Sequence, residues 1–285
     1  MMYVGEEVKF DETQLLARVF GRFCTNLQHL LKVFILGGSD SGKTNVAKYI
    51  SSILQNNKYF GPTAEIRWLE APSKKSAITA MLTPTTGNLL MVFDDVSFLL
   101  KGVSREMDLF SNLEARVRHV VIPEDKKMAL IYCTHYAYSI APFLREADFV
   151  LLTGLKLVQI EKFSSDRELG SYFKRNELST FYGVCKSVRD ARADDPWIWF
   201  GDDKIDVTKW RPLLVSGDDK FISKIPKVEW FDNQLYKYYP PPLDETLGKV
   251  EAKFGRDYRR EIEQVLTEST ITQRKHVREE SDYLG

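Results

Sequence analysis

The sequence predicts an α/β fold: about five mostly parallel strands between helices, with a C-terminal β-hairpin and a helical tail. Three observations carry that expectation. Val33-Phe34-Ile35-Leu36 is an apolar run passing straight into Gly37-Gly38-Ser39-Asp40-Ser41-Gly42-Lys43-Thr44, and Asn45 to Leu54 then follow with helical spacing. Asn88-Leu89-Leu90-Met91-Val92-Phe93-Asp94-Asp95 is a continuous apolar run ending in two carboxylates, as a parallel strand buried on both faces would. Met128-Ala129-Leu130-Ile131-Tyr132-Cys133 ends in Thr134 and His135, and Asp148-Phe149-Val150-Leu151-Leu152 follows after a helix-sized gap.

The remaining elements follow in chain order. Leu15, Leu16, Val19, Phe20, Phe23, Leu27, Leu30 and Leu31 mark a packing helix within residues 11–32. Gly61-Pro62 breaks the chain, and Ala64 to Glu70 alternates apolar with polar residues as a short strand does. Past residue 155, helical periodicity runs through Phe163, Leu169, Phe173, Leu178, Tyr182 and Val188. Trp197 to Phe200 and Lys204 to Thr208 flank Gly201-Asp202-Asp203, the turn chemistry of a hairpin. Beyond Arg211 come Gly217-Asp218-Asp219, an aromatic stretch and Pro240-Pro241-Pro242, which is the best linker in the chain. Residues from about 243 to 280 are charged with a mostly helical pattern, an exposed arm or a docking helix. The expected division is a helical segment at 1–32, a core with its closing hairpin at 33–212 and a C-terminal extension at 213–285.

Composition bounds the function. The chain has 285 residues, 44% hydrophobic and 28% charged, enough for one substantial core with appendages. Lys plus Arg equals Asp plus Glu at 40 each, so a nucleic-acid partner must be met by a local basic patch, which argues against a histone-like coating protein. Cys24, Cys133 and Cys185 are widely spaced, matching neither a disulfide framework nor a zinc site. No signal-peptide pattern opens the sequence and no apolar run approaches the ~18 residues that span a bilayer, so the expectation is a cytoplasmic protein without a membrane partner.

The chemistry centres on the glycine loop. Gly37, Gly42, Lys43 and Thr44 have the spacing of a phosphate-binding P-loop: backbone N–H groups from Gly37, Gly38, Ser39, Asp40, Ser41 and Gly42 wrap phosphates, Lys43 reaches the β and γ oxygens, and Thr44 holds Mg2+. Asn45 opens the helix whose N-terminus faces the phosphates. Hydrolysis of ATP needs more than grip. Asp94 is the candidate partner of Thr44 on the metal, and Asp95 the candidate for polarising water or else a structural residue. Thr134 and His135 end the strand expected between the loop strand and the Asp94 strand; Thr134 is favoured as the sensor of the γ-phosphate. Arg145, Arg116 and Arg118 are the candidates for offsetting transition-state charge. The basic residues Lys174, Arg175, Lys186, Arg189 and Arg192, with Tyr172 and Phe173, are interleaved with acids, so a solvated helix face is favoured over a nucleic-acid surface. Arg256, Arg259, Arg260, Arg274, Lys275 and Arg278 share that ambiguity.

The glycine loop, the Asp94-Asp95 pair, the polar strand end at Thr134 and the segment Ala141 to Val150 together resemble the HerA/FtsK superfamily, over about residues 30–210. The nearest likeness is to small genome-packaging ATPases of archaeal and large eukaryotic DNA viruses. That resemblance implies an additional-strand P-loop ATPase working as an oligomeric ring, often a hexamer, on duplex DNA, with Arg145 or a nearby arginine acting across the subunit interface. Many relatives carry Glu where this chain has Asp95, and Gln where it has Thr134-His135. The tail after residue 211 also looks like that of spindle-shaped archaeal virus ATPases compared with replication initiators and helicase loaders, in which ATP is a switch. A capsid, helicase or initiator protein is the implied partner of the C-terminal extension. A nucleotide kinase is less supported, since no arginine-rich lid or acceptor site is visible.

Overall fold

The computed structural model describes residues 9–11, 15–26, 28–96, 121–135, 147–165, 169–191, 194–217, 220–260 and 262–264. Its strands are β1 (Lys9–Asp11), β2 (Leu30–Leu36), β3 (Glu65–Glu70), β4 (Leu89–Asp94), β5 (Met128–Thr134), β6 (Phe149–Leu152), β7 (Trp197–Phe200), β8 (Asp203–Asp206), β9 (Trp210–Ser216) and β10 (Lys220–Pro226). Its helices are α1 (Leu15–Thr25), α2 (Lys43–Asn56), α3 (Lys74–Leu82), α4 (Leu157–Ser165), α5 (Leu169–Tyr172), α6 (Arg175–Asp190) and α7 (Leu243–Phe254).

Eight strands form one sheet in the order β1-β10-β9-β6-β2-β5-β4-β3. The five expected runs are its parallel block, with β5 between β2 and β4 in continuous register from Leu30↔Met128 to Leu36↔Thr134. The apolar runs are unbroken because both faces are covered. On one face Phe34, Tyr132 and Phe93 stack across β2, β5 and β4 at 4.8 and 5.0 Å, beneath α3, α6 and the β7–β8 hairpin. On the other, Val33, Ile35, Val92 and Ile131 pack against α1 and α2, whose Val46, Ala47, Ile50 and Leu54 recur at helical spacing. The result is a three-layer α/β/α arrangement. No helix among the described residues is long and apolar enough to cross a membrane. Cys24, Cys133 and Cys185 are free and buried.

Several expectations need correction. The stripe assigned to one helix ends at Thr25, and Leu30 and Leu31 open β2 instead. The expected hairpin forms, but its turn is two residues, Gly201-Asp202, because Asp203 pairs with Phe200, and Gly201 takes φ +60°. It makes a separate two-stranded sheet. The main sheet is instead extended by β9 and β10, so the boundary expected at 212 falls inside β9. Pro212 is tolerated there because β6 pairs β9 only from Leu214 to Ser216, leaving no strand among the described residues to receive an N–H from position 212 on that side.

The triple proline is not a spacer to a free arm. Tyr238 N–H donates to Trp68 O at 2.9 Å, beside the outer edge of β3, and α7 starts at Leu243, burying Leu247 and Val250 in the core shared with α3. Of the two readings of the tail, a docked helix is what α7 forms. Arg274, Lys275 and Arg278 lie outside the described residues.

Candidate functional site

The C-terminal ends of the parallel strands gather every described residue expected in the site. β2 delivers the chain into the glycine loop, whose shape glycine alone permits at two points. Gly42 has φ +91°, and a Cβ at Gly37 would overlap Thr153 Oγ1 and Ser41 Oγ well inside van der Waals contact. Ser41 and Thr153 hydroxyls are themselves 2.6 Å apart, and Thr153 N–H donates to Leu36 O at 2.9 Å, so the turn after β6 braces the loop. α2 begins at Lys43 with Val46 N–H donating to Gly42 O at 3.0 Å, and the N–H groups of Lys43, Thr44 and Asn45 before it have no intrahelical acceptor. That places a ring of backbone donors and the positive helix end against the loop.

Lys43 is only 8% exposed, and its Nζ donates to Gly37 O at 3.2 Å and Gly38 O at 2.7 Å. Burial pulls its pKa below the ordinary lysine value, while the carboxylates of Asp94, Asp95 and Asp40 act the other way. Thr44 Oγ1 donates to both oxygens of Asp94, at 3.0 and 3.2 Å. Asp94 ends β4, where burial raises its pKa above the usual aspartate value and the Thr44 hydrogen bond and Lys43 partly offset this. Asp95 follows with φ +68°, pinned on both sides: Ala71 N–H donates to Asp94 O at 2.7 Å and Val96 N–H to Cys133 O at 2.9 Å.

Of the pair ending β5, Thr134 is 2% exposed and its hydroxyl donates to the carbonyl of His135 at 3.1 Å. His135 Nδ1 lies 3.3 Å from Lys43 Nζ. The residue touching the lysine is therefore His135, where sequence reasoning favoured Thr134. Asn45 departs in another way. Its side chain donates to Pro226 O at 2.9 Å and accepts from Val228 N–H at 2.7 Å, so it staples α2 to the end of β10. Arg145, Arg116 and Arg118 lie outside the described residues.

The structure adds residues that the sequence did not single out. A cavity of about 370 Å³ opens beside Gly38 to Ser41 and is walled by the 153–156 turn, by Cys185, Val188 and Arg189 of α6, and by Arg211 and Pro212 of β9. At the far edge, Glu70 ends β3 in register with Asp94 and is held by Lys237 at 2.8 Å, Gln234 at 2.7 Å and Asn233 at 3.3 Å. Hydrogen bonds from Lys237 and Gln234 keep the Glu70 pKa below the usual glutamate value. Thr153 carried a faint signal, as a polar residue closing an apolar run.

Thr44 and Asp94 supply hard oxygen donors, the set that suits Mg2+ when phosphate and water complete its shell. Among the described residues no group of three or more His, Cys, Asp and Glu is placed to hold a metal without such help. No protein-family model matches the chain, and no curated protein sequence matches it significantly.

Proposed function

We propose that the chain is a P-loop ATPase of the additional-strand type that binds ATP with Mg2+ and hydrolyses it to ADP and phosphate. The observation carrying this reading is the hydrogen bonding of Thr44 Oγ1 to both oxygens of Asp94, from a helix start to a strand end with β5 inserted between their strands. A glycine turn of merely structural use has no reason to bring a buried lysine, a hydroxyl and a desolvated carboxylate to one point.

In this mechanism the N–H groups of the loop and of the first turn of α2 take the phosphate oxygens. Lys43 transfers donors from the carbonyls of Gly37 and Gly38 to the β and γ oxygens. Thr44 and Asp94 would hold Mg2+, which when bound offsets charge on the phosphates. Asp95, fixed in its positive-φ conformation, orients the attacking water and accepts its proton. His135 beside Lys43, with Thr134 behind it, reports on the γ position. An arginine, Arg145 by the HerA/FtsK resemblance, supplies transition-state charge from a neighbouring subunit.

The work coupled to hydrolysis we read from the same resemblance as DNA translocation or genome packaging in the cytoplasm, by a hexameric ring that meets a capsid, helicase or initiator protein through its C-terminal region. The test is steady-state ATP hydrolysis with and without duplex DNA, on protein whose mass is followed by light scattering. DNA-stimulated turnover by an oligomer is expected. Slow, DNA-indifferent hydrolysis by a monomer would replace the motor with the switch reading, and absence of ATP binding would remove both.

A further inference from the structure

The glycine loop accounts for the phosphates of a nucleotide and leaves its sugar and base without a seat. The cavity beside the loop offers one. It shares Gly38, Ser39, Asp40 and Ser41 with the loop and lies toward β6 and β9, on the opposite side of β2 from the β5 and β4 strand ends that carry His135 and Asp94. Its volume of about 370 Å³ falls within the ~300–1,000 Å³ typical of small-ligand sites.

Its walls are of two kinds. Leu155, Val188 and Pro212 are apolar, with Leu155 and Pro212 buried and Val188 half-buried. Arg189 and Arg211 are cationic, and each is already positioned by the fold. Arg189 donates to Leu155 O at 3.2 Å with its guanidinium 5.5 Å from the Tyr182 ring centre, and Arg211 donates to Val207 O at 3.4 Å. A planar guanidinium held flat on a scaffold stacks on aromatic faces, and aliphatic walls do the same by dispersion. Such a seat grips a base by its faces, which every base possesses, more than by its hydrogen-bonding edge.

We propose that this cavity, between the 153–156 turn, α6 and the start of β9, is the nucleoside subsite, and that Arg189, Arg211 and Val188 hold the base of a purine nucleotide by stacking and apolar contact with little discrimination between adenine and guanine. The inference rests on the phosphate-loop reading, and the experiment separates the two. Binding of ATP, GTP and inorganic tripolyphosphate, each with Mg2+, is measured by calorimetry on the full chain. Tripolyphosphate reports on the loop alone, and the difference between it and ATP reports on the subsite. ATP should bind roughly 10- to 100-fold more tightly than tripolyphosphate, with GTP within about tenfold of ATP. Val188→Trp, which fills the cavity, should bring ATP to the tripolyphosphate level while tripolyphosphate binding is kept. If Val188→Trp does not fold, the double variant Arg189→Ala, Arg211→Ala carries the same expectation with surface changes. Wild-type affinities equal for ATP and tripolyphosphate, or variants that bind ATP as the wild type does, would overturn the subsite and leave the loop intact. A preference of more than about 30-fold for one purine would overturn the face-held base. Failure of the wild type to bind either ATP or tripolyphosphate would instead overturn the loop reading.

Discussion

Asp94→Asn should make the protein more stable and its metal-dependent ligand binding weaker. Burial raises the pKa of Asp94, so the folded state binds that proton more tightly than the unfolded chain does. Its contribution to stability is therefore favourable in acid and declines as pH rises from the ordinary aspartate value toward the raised folded one, which leaves a cost at neutral pH. An amide of the same shape keeps one acceptor for Thr44 Oγ1 and removes the charge, so the ligand-free protein should gain on the order of 1 kcal/mol. At roughly 2–4 °C per kcal/mol for a chain of this size, the thermal midpoint rises by about 2–4 °C. A ligand at 100 times its Kd adds about 2.7 kcal/mol, and a 100-fold loss of affinity leaves only about 0.4 kcal/mol of it. The Mg-ATP increment should thus fall from roughly 5–10 °C to about 1 °C. The assay is differential scanning fluorimetry at pH 7.5 with Mg-ATP, with ATP plus a chelator, and without ligand. A full Mg-ATP increment in the variant would show that Asp94 does not serve the metal, and a lower ligand-free midpoint would show that the carboxylate supports the fold.

Lys43→Ala removes the donor that the loop carbonyls of Gly37 and Gly38 hold in place, and equilibrium dialysis should show ATP affinity reduced by about 100-fold or more; undiminished affinity would refute its phosphate role. With Asp95→Asn, ATP binding should persist while single-turnover hydrolysis drops by roughly 10²–10⁴-fold, and unchanged hydrolysis would free Asp95 of the water. Arg67 is 1% exposed and its guanidinium donates to the carbonyls of Ala80, Thr83 and Pro84, capping the end of α3. Arg67→Met leaves all three without that donor, so urea unfolding should report a loss of about 3 kcal/mol, and a loss below about 1 kcal/mol would mean that water replaces the cap.

The five parallel strands were legible because burial on both faces writes itself as unbroken apolar runs, and the Thr44–Asp94 pairing because a strand's end fixes where its last side chain emerges. The strands that extend the sheet were not. β9 carries Pro212 and β10 interleaves Lys224 with Ile222 and Ile225, a weaker pattern that a neighbouring strand end makes tolerable. Leu30 and Leu31 continued a helical stripe in spacing, yet pair with Met128 and Ala129 across β5. Asn45 read as a phosphate-facing residue at the helix start because sequence shows position and not direction, and its side chain is held by Pro226 and Val228 about 180 residues away. The cavity had no local signature, since its walls come from four separated stretches that only the fold assembles.

Among the described residues, the non-glycine positions with positive φ are Asp40, Ala71 and Asp95, at +58°, +39° and +68°. Ala71 and Asp95 directly follow β3 and β4 and Asp40 lies in the loop after β2, and each conformation costs of the order of 1–3 kcal/mol. The sheet holds this strain in place. Ala71 N–H binds Asp94 O, Val96 N–H binds Cys133 O, and Glu70 is fixed by Lys237 and Gln234, so the ends of β3 and β4 are clamped around Ala71 and Asp95. An extended strand would send Asp94 and Asp95 to opposite faces. The turn at Asp95 breaks that alternation, and both carboxylates act on the Lys43 ammonium. A segment required only to fold would relax such turns with glycine or asparagine. Asp40 and Asp95 keep such turns, and the carboxylates of both act on the Lys43 ammonium at the start of α2, where the position of a charge matters more than the ease of its backbone.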